Sequence, residues 1–263
     1  MNPEPVNPYR YFNRNVEGAA YFVKLNKALN FVMSRAMLDF ATPSVRFCEA
    51  GMTDIYLVRH GQTEWNTQLI FRGRKDIPLN ERGHKQARAI AGALKDRNID
   101  AIYTSPLSRA VETAQPVATL FDLEVVPVQG FIDINYGEWE GVSYDEVKKR
   151  YTDQYAQWEK RPELVQFPQG ETLDVVKERA FGALTDIARK NPTRSVLIIS
   201  HRVINKVLLC ALLGLSTGHF WEIRQDTGCI NIMEYSGEQF VLCAMNDTCH
   251  LKELTDETAQ PDF

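Results

Sequence analysis

Four consecutive large apolar residues, Val196-Leu197-Ile198-Ile199, lie between Ser195 and Ser200 and run straight into His201. A strand with one wet face alternates apolar and polar side chains. A run that is apolar at every position has to be covered on both faces, the condition of a central strand in a parallel sheet. Only layered α/β architectures supply that cover. The rest of the chain agrees. Thr53–Val58, Ala101–Ser105 and Glu124–Val128 read as further short strands. Helical spacing predicts a helix over 81–95, with Ala87, Ile90, Ala91 and Leu94 on one face, and another from Pro106 to Leu120. Pro106 suits the first turn of that helix, and Pro116 predicts a kink in it. Three more helices are expected, from about Tyr144 to Trp158, from about Thr172 to Lys190, and, after His201, a helix to Leu213. Cys229–Tyr235 and Phe240–Met245 flank Ser236-Gly237-Glu238-Gln239 as a hairpin. The expected fold is a three-layer α/β sandwich around a mostly parallel central sheet with an antiparallel edge.

The chain has 263 residues and divides unevenly. Residues 1–51 read as an N-terminal extension, with Phe22, Leu25, Leu29, Val32, Met33, Ala36 and Phe40 at helical spacing. Residues 52–254 form the expected compact domain, and 255–263 a polar tail. The net charge of −4 lacks the basic excess of a general nucleic-acid binder. No apolar run approaches a membrane span. The opening lacks the basic-then-apolar layout of a secretory signal. Five cysteines without a C-x-x-C pair fit free thiols in a reducing cytoplasm, the expected location.

The signatures of P-loop enzymes, dinucleotide enzymes, zincins and serine hydrolases are absent from the sequence. What remains is positional. Ligands of open α/β sheets bind beyond the carboxyl ends of the strands. Three strand exits carry phosphate-competent residues: Arg59-His60-Gly61, Ser105-Pro106-Leu107-Ser108-Arg109, and Ser200-His201-Arg202. Arginine's planar fork grips phosphate oxygens. A neutral imidazole is a competent nucleophile when one nitrogen is held and the other faces phosphorus. Surrounding arginines favour that neutral form and neutralise the transferring group. Gly61 is expected to let the backbone approach the phosphate. His84, His219 and His250 lack comparable neighbours and read as structural.

Leu57-Val58-Arg59-His60-Gly61-Gln62-Thr63-Glu64-Trp65-Asn66 resembles the signature of the histidine phosphatase superfamily, the phosphoglycerate mutase-like proteins. The resemblance continues, in order, through Arg72-Gly73-Arg74-Lys75-Asp76, Ser105-Pro106-Leu107-Ser108-Arg109, Tyr136-Gly137-Glu138-Trp139-Glu140-Gly141, Pro168-Gln169-Gly170-Glu171-Thr172 and Ile199-Ser200-His201. It implies that His60 becomes phosphohistidine and that Arg59, Arg109 and His201 form the phosphate pocket, with Asn66 alongside. It also implies a carboxylate acid/base at Asp133, where most relatives carry the longer glutamate. Arg202 stands where many relatives have glycine, and supplies a further cation or narrows the mouth.

Gly137–Gly141 resembles the phosphatase branch, which includes α-ribazole phosphatase and broad-specificity phosphatases. The implied function is hydrolysis of small phosphorylated metabolites, with no cofactor and no metal. Phosphoglycerate mutase and a catalytically weakened phosphate-binding regulatory module are the alternatives. The expected partner is a small phosphorylated substrate, with no nucleic acid and no membrane span; a homodimer is compatible with the sequence.

Overall fold

A computed structural model describes residues 51–254. The expected helix near residues 20–40 and the tail 255–263 lie outside the described residues. Six strands form one sheet: β1 (Thr53–Arg59), β2 (Ala101–Thr104), β3 (Val125–Pro127), β4 (Ser195–Ser200), β5 (Ile230–Tyr235) and β6 (Phe240–Asp247). Their order is β3-β2-β4-β1-β5-β6. The first four are mutually parallel, and β5 and β6 add the antiparallel edge. The helices are α1 (Glu64–Thr67), α2 (Glu81–Leu94), α3 (Ser108–Phe121), α4 (Tyr144–Arg150), α5 (Thr152–Lys160), α6 (Leu173–Lys190) and α7 (Arg202–Leu212).

β4 is central, paired with β1 on one side and β2 on the other. Its alternate side chains enter two different cores. Val196 and Ile198 pack with Val176, Ala180 and Leu184 of α6 and with Val203, Ile204 and Val207 of α7. Leu197 and Ile199 pack with Ile90 and Leu94 of α2 and with Ala110, Ala114 and Val117 of α3. All four are fully buried. Burial of each such side chain contributes about 1.5–3 kcal/mol, so Ile198→Ala costs about 2–5 kcal/mol once the cavity is included.

The structure corrects two local expectations. Pro106 lies ahead of α3, not in its first turn; Leu107 is the N-cap. The exposed start of α3 is satisfied from another loop, because Ser108 N donates to Asp76 Oδ1 at 2.8 Å. That contact ties the segment after Arg72 to the helix carrying Arg109. The helix continues through Pro116 to Phe121. The helix expected from Tyr144 to Trp158 is two helices. Tyr151 leaves helical geometry (φ −126°, ψ 46°) and its hydroxyl donates to Glu138 at 2.8 Å.

Candidate active site

Because β2, β4 and β1 are neighbours, their carboxyl ends open side by side. Arg59 pairs in register with Ser200, and Thr104 with Ile199. The ladder runs one residue further: His60 N donates to Ser200 O, and Ser105 N to Ile199 O, each at 2.9 Å. His60 and His201 consequently meet, with ring centroids 5.1 Å apart.

The two rings are held in opposite ways. His60 Nδ1 lies 2.6 Å from Gly61 O. A carbonyl only accepts, so Nδ1 carries the proton and Nε2 carries the lone pair. Nε2 is buried without a hydrogen-bond partner, and His60 lines a cleft of about 300 Å³ that is open to solvent. His201 Nδ1, by contrast, accepts from Arg109 Nε at 3.2 Å, which leaves its Nε2 proton for Ser105 Oγ at 2.7 Å. Burial holds both imidazoles well below their ordinary protonation range, and Arg109 pushes the same way on each. Both are neutral at physiological pH.

Arg109 is fully buried in the first turn of α3. Its fork organises the site from behind. Besides His201, it donates to Lys75 O (2.9 Å), Gly73 O (2.8 Å) and Asp133 Oδ2 (3.1 Å). Asp133 is 6% exposed and lines the same cleft as His60. Its Oδ1 accepts from Ile134 N at 3.0 Å.

The loop presenting Asp133 is clamped from below. Arg179 of α6 donates to Gly130 O (2.9 Å), Ile132 O (2.7 Å) and Asp133 O (3.2 Å), and pairs with both carboxylate oxygens of Glu171 at 3.0 Å. Glu171 also accepts from Asn135 N and pairs with Arg74. Gly137 closes the loop at φ +56°, where a Cβ would fall 1.9 Å from Pro168 O. No side chain fits there.

Residues 55–248 match the family described as histidine phosphatase superfamily (branch 1). The chain belongs to this family. It is 35% identical over 202 residues to phosphoserine phosphatase 1 of Hydrogenobacter thermophilus, covering 77% of this chain and 96% of that protein. The solved structure of Bacillus stearothermophilus YhfR superposes with a TM-score of 0.74 at 30% identity, over 76% of this chain and all of that one (100%). An Entamoeba histolytica phosphoserine phosphatase, solved with 3-phosphoglyceric acid, gives a TM-score of 0.67 at 29% identity, over 76% of this chain and 99% of that one. As a member of this family the chain is a phosphomonoesterase acting on small phosphorylated metabolites.

Within this histidine phosphatase, the structure brings Arg59, His60, Arg109, Asp133, His201 and Arg202 to one rim. Arg59 is buried, and its Nη1 donates to the backbone carbonyl of Gln225. Asn66 acts locally. Its Oδ1 accepts from both Thr63 N (2.8 Å) and Thr63 Oγ1 (2.9 Å), capping α1. Gly61 is also needed for packing. A Cβ there would fall 2.7 Å from Gly83 O, so the missing side chain lets the loop after His60 lie against α2.

Three groups of residues join the site without having been assigned from the sequence. Arg72 lines the cleft, and its Nε is buried without a partner. Its place inside the Arg72–Asp76 motif was the signal for it. The Arg179–Glu171 clamp was half visible, through Glu171. Beneath Arg59 lies a buried amide network. Asn205 Nδ2 and Asn231 Nδ2 both donate to Gln225 Oε1, at 3.1 and 2.9 Å. Asparagines inside the apolar stretches Val203–Cys210 and Ile230–Met233 were the sequence signal for it. Among the described residues no group of three or more His, Cys, Asp or Glu is placed to hold a metal ion, and no helix is long and apolar enough to cross a membrane.

Proposed function

We propose that hydrolysis proceeds through a phosphohistidine on His60. The observation that carries this is the unprotonated, unpartnered Nε2 of a histidine that lines the cleft, with Nδ1–H fixed on Gly61 O. Nε2 attacks phosphorus, and the P–O bond to the leaving group breaks with its electron pair on oxygen. Asp133 gives that oxygen a proton. Water then attacks phospho-His60 and loses a proton to Asp133; the P–N bond breaks, and its electrons return to Nε2. Orthophosphate leaves. Arg59 and Arg109 offset the charge on the transferring group. His201 holds Arg109 and Ser105 in register behind it.

Cytoplasmic residence belongs to this reading. It is supported by Cys210, Cys229, Cys243 and Cys249, all free thiols, two of them exposed.

Rapid acid-free quenching during turnover should trap an acid-labile, base-stable phosphate on His60. Label on a serine or a cysteine overturns the reading.

A further inference from the structure

We propose that Arg72 and Arg202 form a second anion subsite in the cleft, one that selects phosphomonoesters carrying a carboxylate near the phosphorylated oxygen. This deepens the reading of His60 as the site of phosphoryl transfer and rests on it.

Both arginines line the cleft together with His60 and Asp133. They reach it from different elements. Arg72 comes from the segment after α1, next to the bridge between Ile70 and Ser143. Arg202 opens α7, whose N-cap is His201, so the positive end of that helix dipole acts at the same place. Arg202 is 8% exposed. Arg72 Nε is buried with no hydrogen-bond partner. Burial brings the Arg72 guanidinium down to about 10, and Arg59, Arg202 and Arg109 act in the same direction. Positive groups therefore crowd this end of the cleft. Among the described residues that line it, Asp133 alone is anionic, and it is already paired with Arg109 at 3.1 Å.

Holding such like charges together costs free energy unless an anion completes the site. A phosphoryl group on His60 has Arg59 and Arg109 behind it. The two guanidiniums in the lining then face the part of the substrate beyond the ester oxygen. A carboxylate fits them because its planar pair of oxygens matches the guanidinium fork. Tyr136 and Tyr144 line the same cleft, and Ile70, Phe71 and Val203 supply apolar walls for a short carbon linker.

Two pairs of compounds isolate the carboxylate: O-phosphoserine against O-phosphoethanolamine, and 3-phosphoglycerate against glycerol 3-phosphate. In at least one pair the wild-type protein should favour the carboxylated member by roughly 10- to 100-fold in kcat/KM, the scale of a charge-assisted hydrogen bond. Arg72→Gln and Arg202→Gln should each shrink that ratio, mainly through KM of the carboxylated member, and Arg72→Lys should recover part of it. No preference by the wild-type protein in either pair overturns the proposal, whatever the variants do. So does an equal loss on both members of the pair, which would assign these arginines to the phosphoryl group. Failure of the phosphohistidine reading is seen separately, as the absence of acid-labile phosphoenzyme from either member.

Discussion

Asp133→Asn tests the site at its most connected point, because the carboxylate has two jobs. In the proposed reaction it is the acid/base on the cleft wall, and in the structure it is the counter-ion 3.1 Å from a fully buried Arg109. Removing one partner of a buried pair costs about 3–5 kcal/mol. Asparagine keeps an oxygen that can accept from Arg109 but lacks the charge, so the expected loss is about 2–3 kcal/mol. For a domain of this size that lowers Tm by about 4–12 °C. Inorganic phosphate should reverse most of this loss, since a bound dianion supplies the missing charge and binds only the folded state. The chemical effect is separate. Loss of general acid–base help should cut turnover of alkyl phosphates by about 10²–10⁴-fold, and turnover of p-nitrophenyl phosphate by much less during phosphorylation of His60. Thermal melts with and without phosphate, together with steady-state rates on both substrate types, read the two jobs independently. Full alkyl-phosphate turnover by Asp133→Asn, with loss in Glu138→Gln or Glu140→Gln, would refute the assignment. The structure speaks against that outcome. Glu138 is tied to Tyr151 and Gln169, and Glu140 accepts from the backbone N–H of Arg74 and Tyr136.

Three further outcomes follow from the same geometry. Both site histidines have lowered folded-state proton affinities, so the unfolded chain binds more protons below about pH 6.5. The stability they contribute is present above that pH and is lost as pH falls, by up to about 1.4 kcal/mol per pH unit for each ring; urea melts from pH 7.5 to 5 should show it, and a flat profile contradicts it. Gly61→Ala drives a Cβ to 2.7 Å from Gly83 O and should destabilise by about 1–3 kcal/mol while displacing the carbonyl that orients His60, so kcat falls even at temperatures where the variant is folded. With 3-phosphoglycerate, inorganic phosphate release should exceed conversion to 2-phosphoglycerate; efficient interconversion with little release would mark a mutase.

The sheet was readable because β4 and β1 are apolar at successive positions, a pattern that few arrangements besides a doubly covered strand satisfy. His60 and His201 were readable because each directly follows such a strand, and chain position alone then puts them on one rim. Side-chain commitments were not readable. Nothing in Ser108-Arg109 says that the guanidinium will turn inward to hold Gly73, Lys75, Asp133 and His201. Nothing in Gly61 says that its neighbour is Gly83. The break at Tyr151 was hidden for a similar reason: residues 144–158 have adequate local helix character, and a long-range bond to Glu138 accompanies the interruption. The Arg179 clamp joins α6 to a loop more than 45 residues earlier in the chain, a pairing that only the packed fold reveals.

The difference between the two histidines comes from what holds each Nδ1. At His60 the neighbour is a carbonyl, which demands a proton on Nδ1 and so exposes a lone pair at Nε2. At His201 the neighbour is a guanidinium, which demands a lone pair on Nδ1 and so places the proton at Nε2, where Ser105 receives it. Two rings 5.1 Å apart, both neutral and both buried, thus have opposite tautomers, and only His60 is left with an Nε2 lone pair that no hydrogen bond occupies. His201 therefore cannot stand in for His60. To attack phosphorus it would have to give up Arg109 or Ser105, and Arg109 is the same group that holds Asp133 in place. His60→Ala should leave no phosphoenzyme at all, with an otherwise intact and phosphate-binding pocket. Detection of phosphate on His201 in that variant would show that the tautomers are not fixed by these contacts.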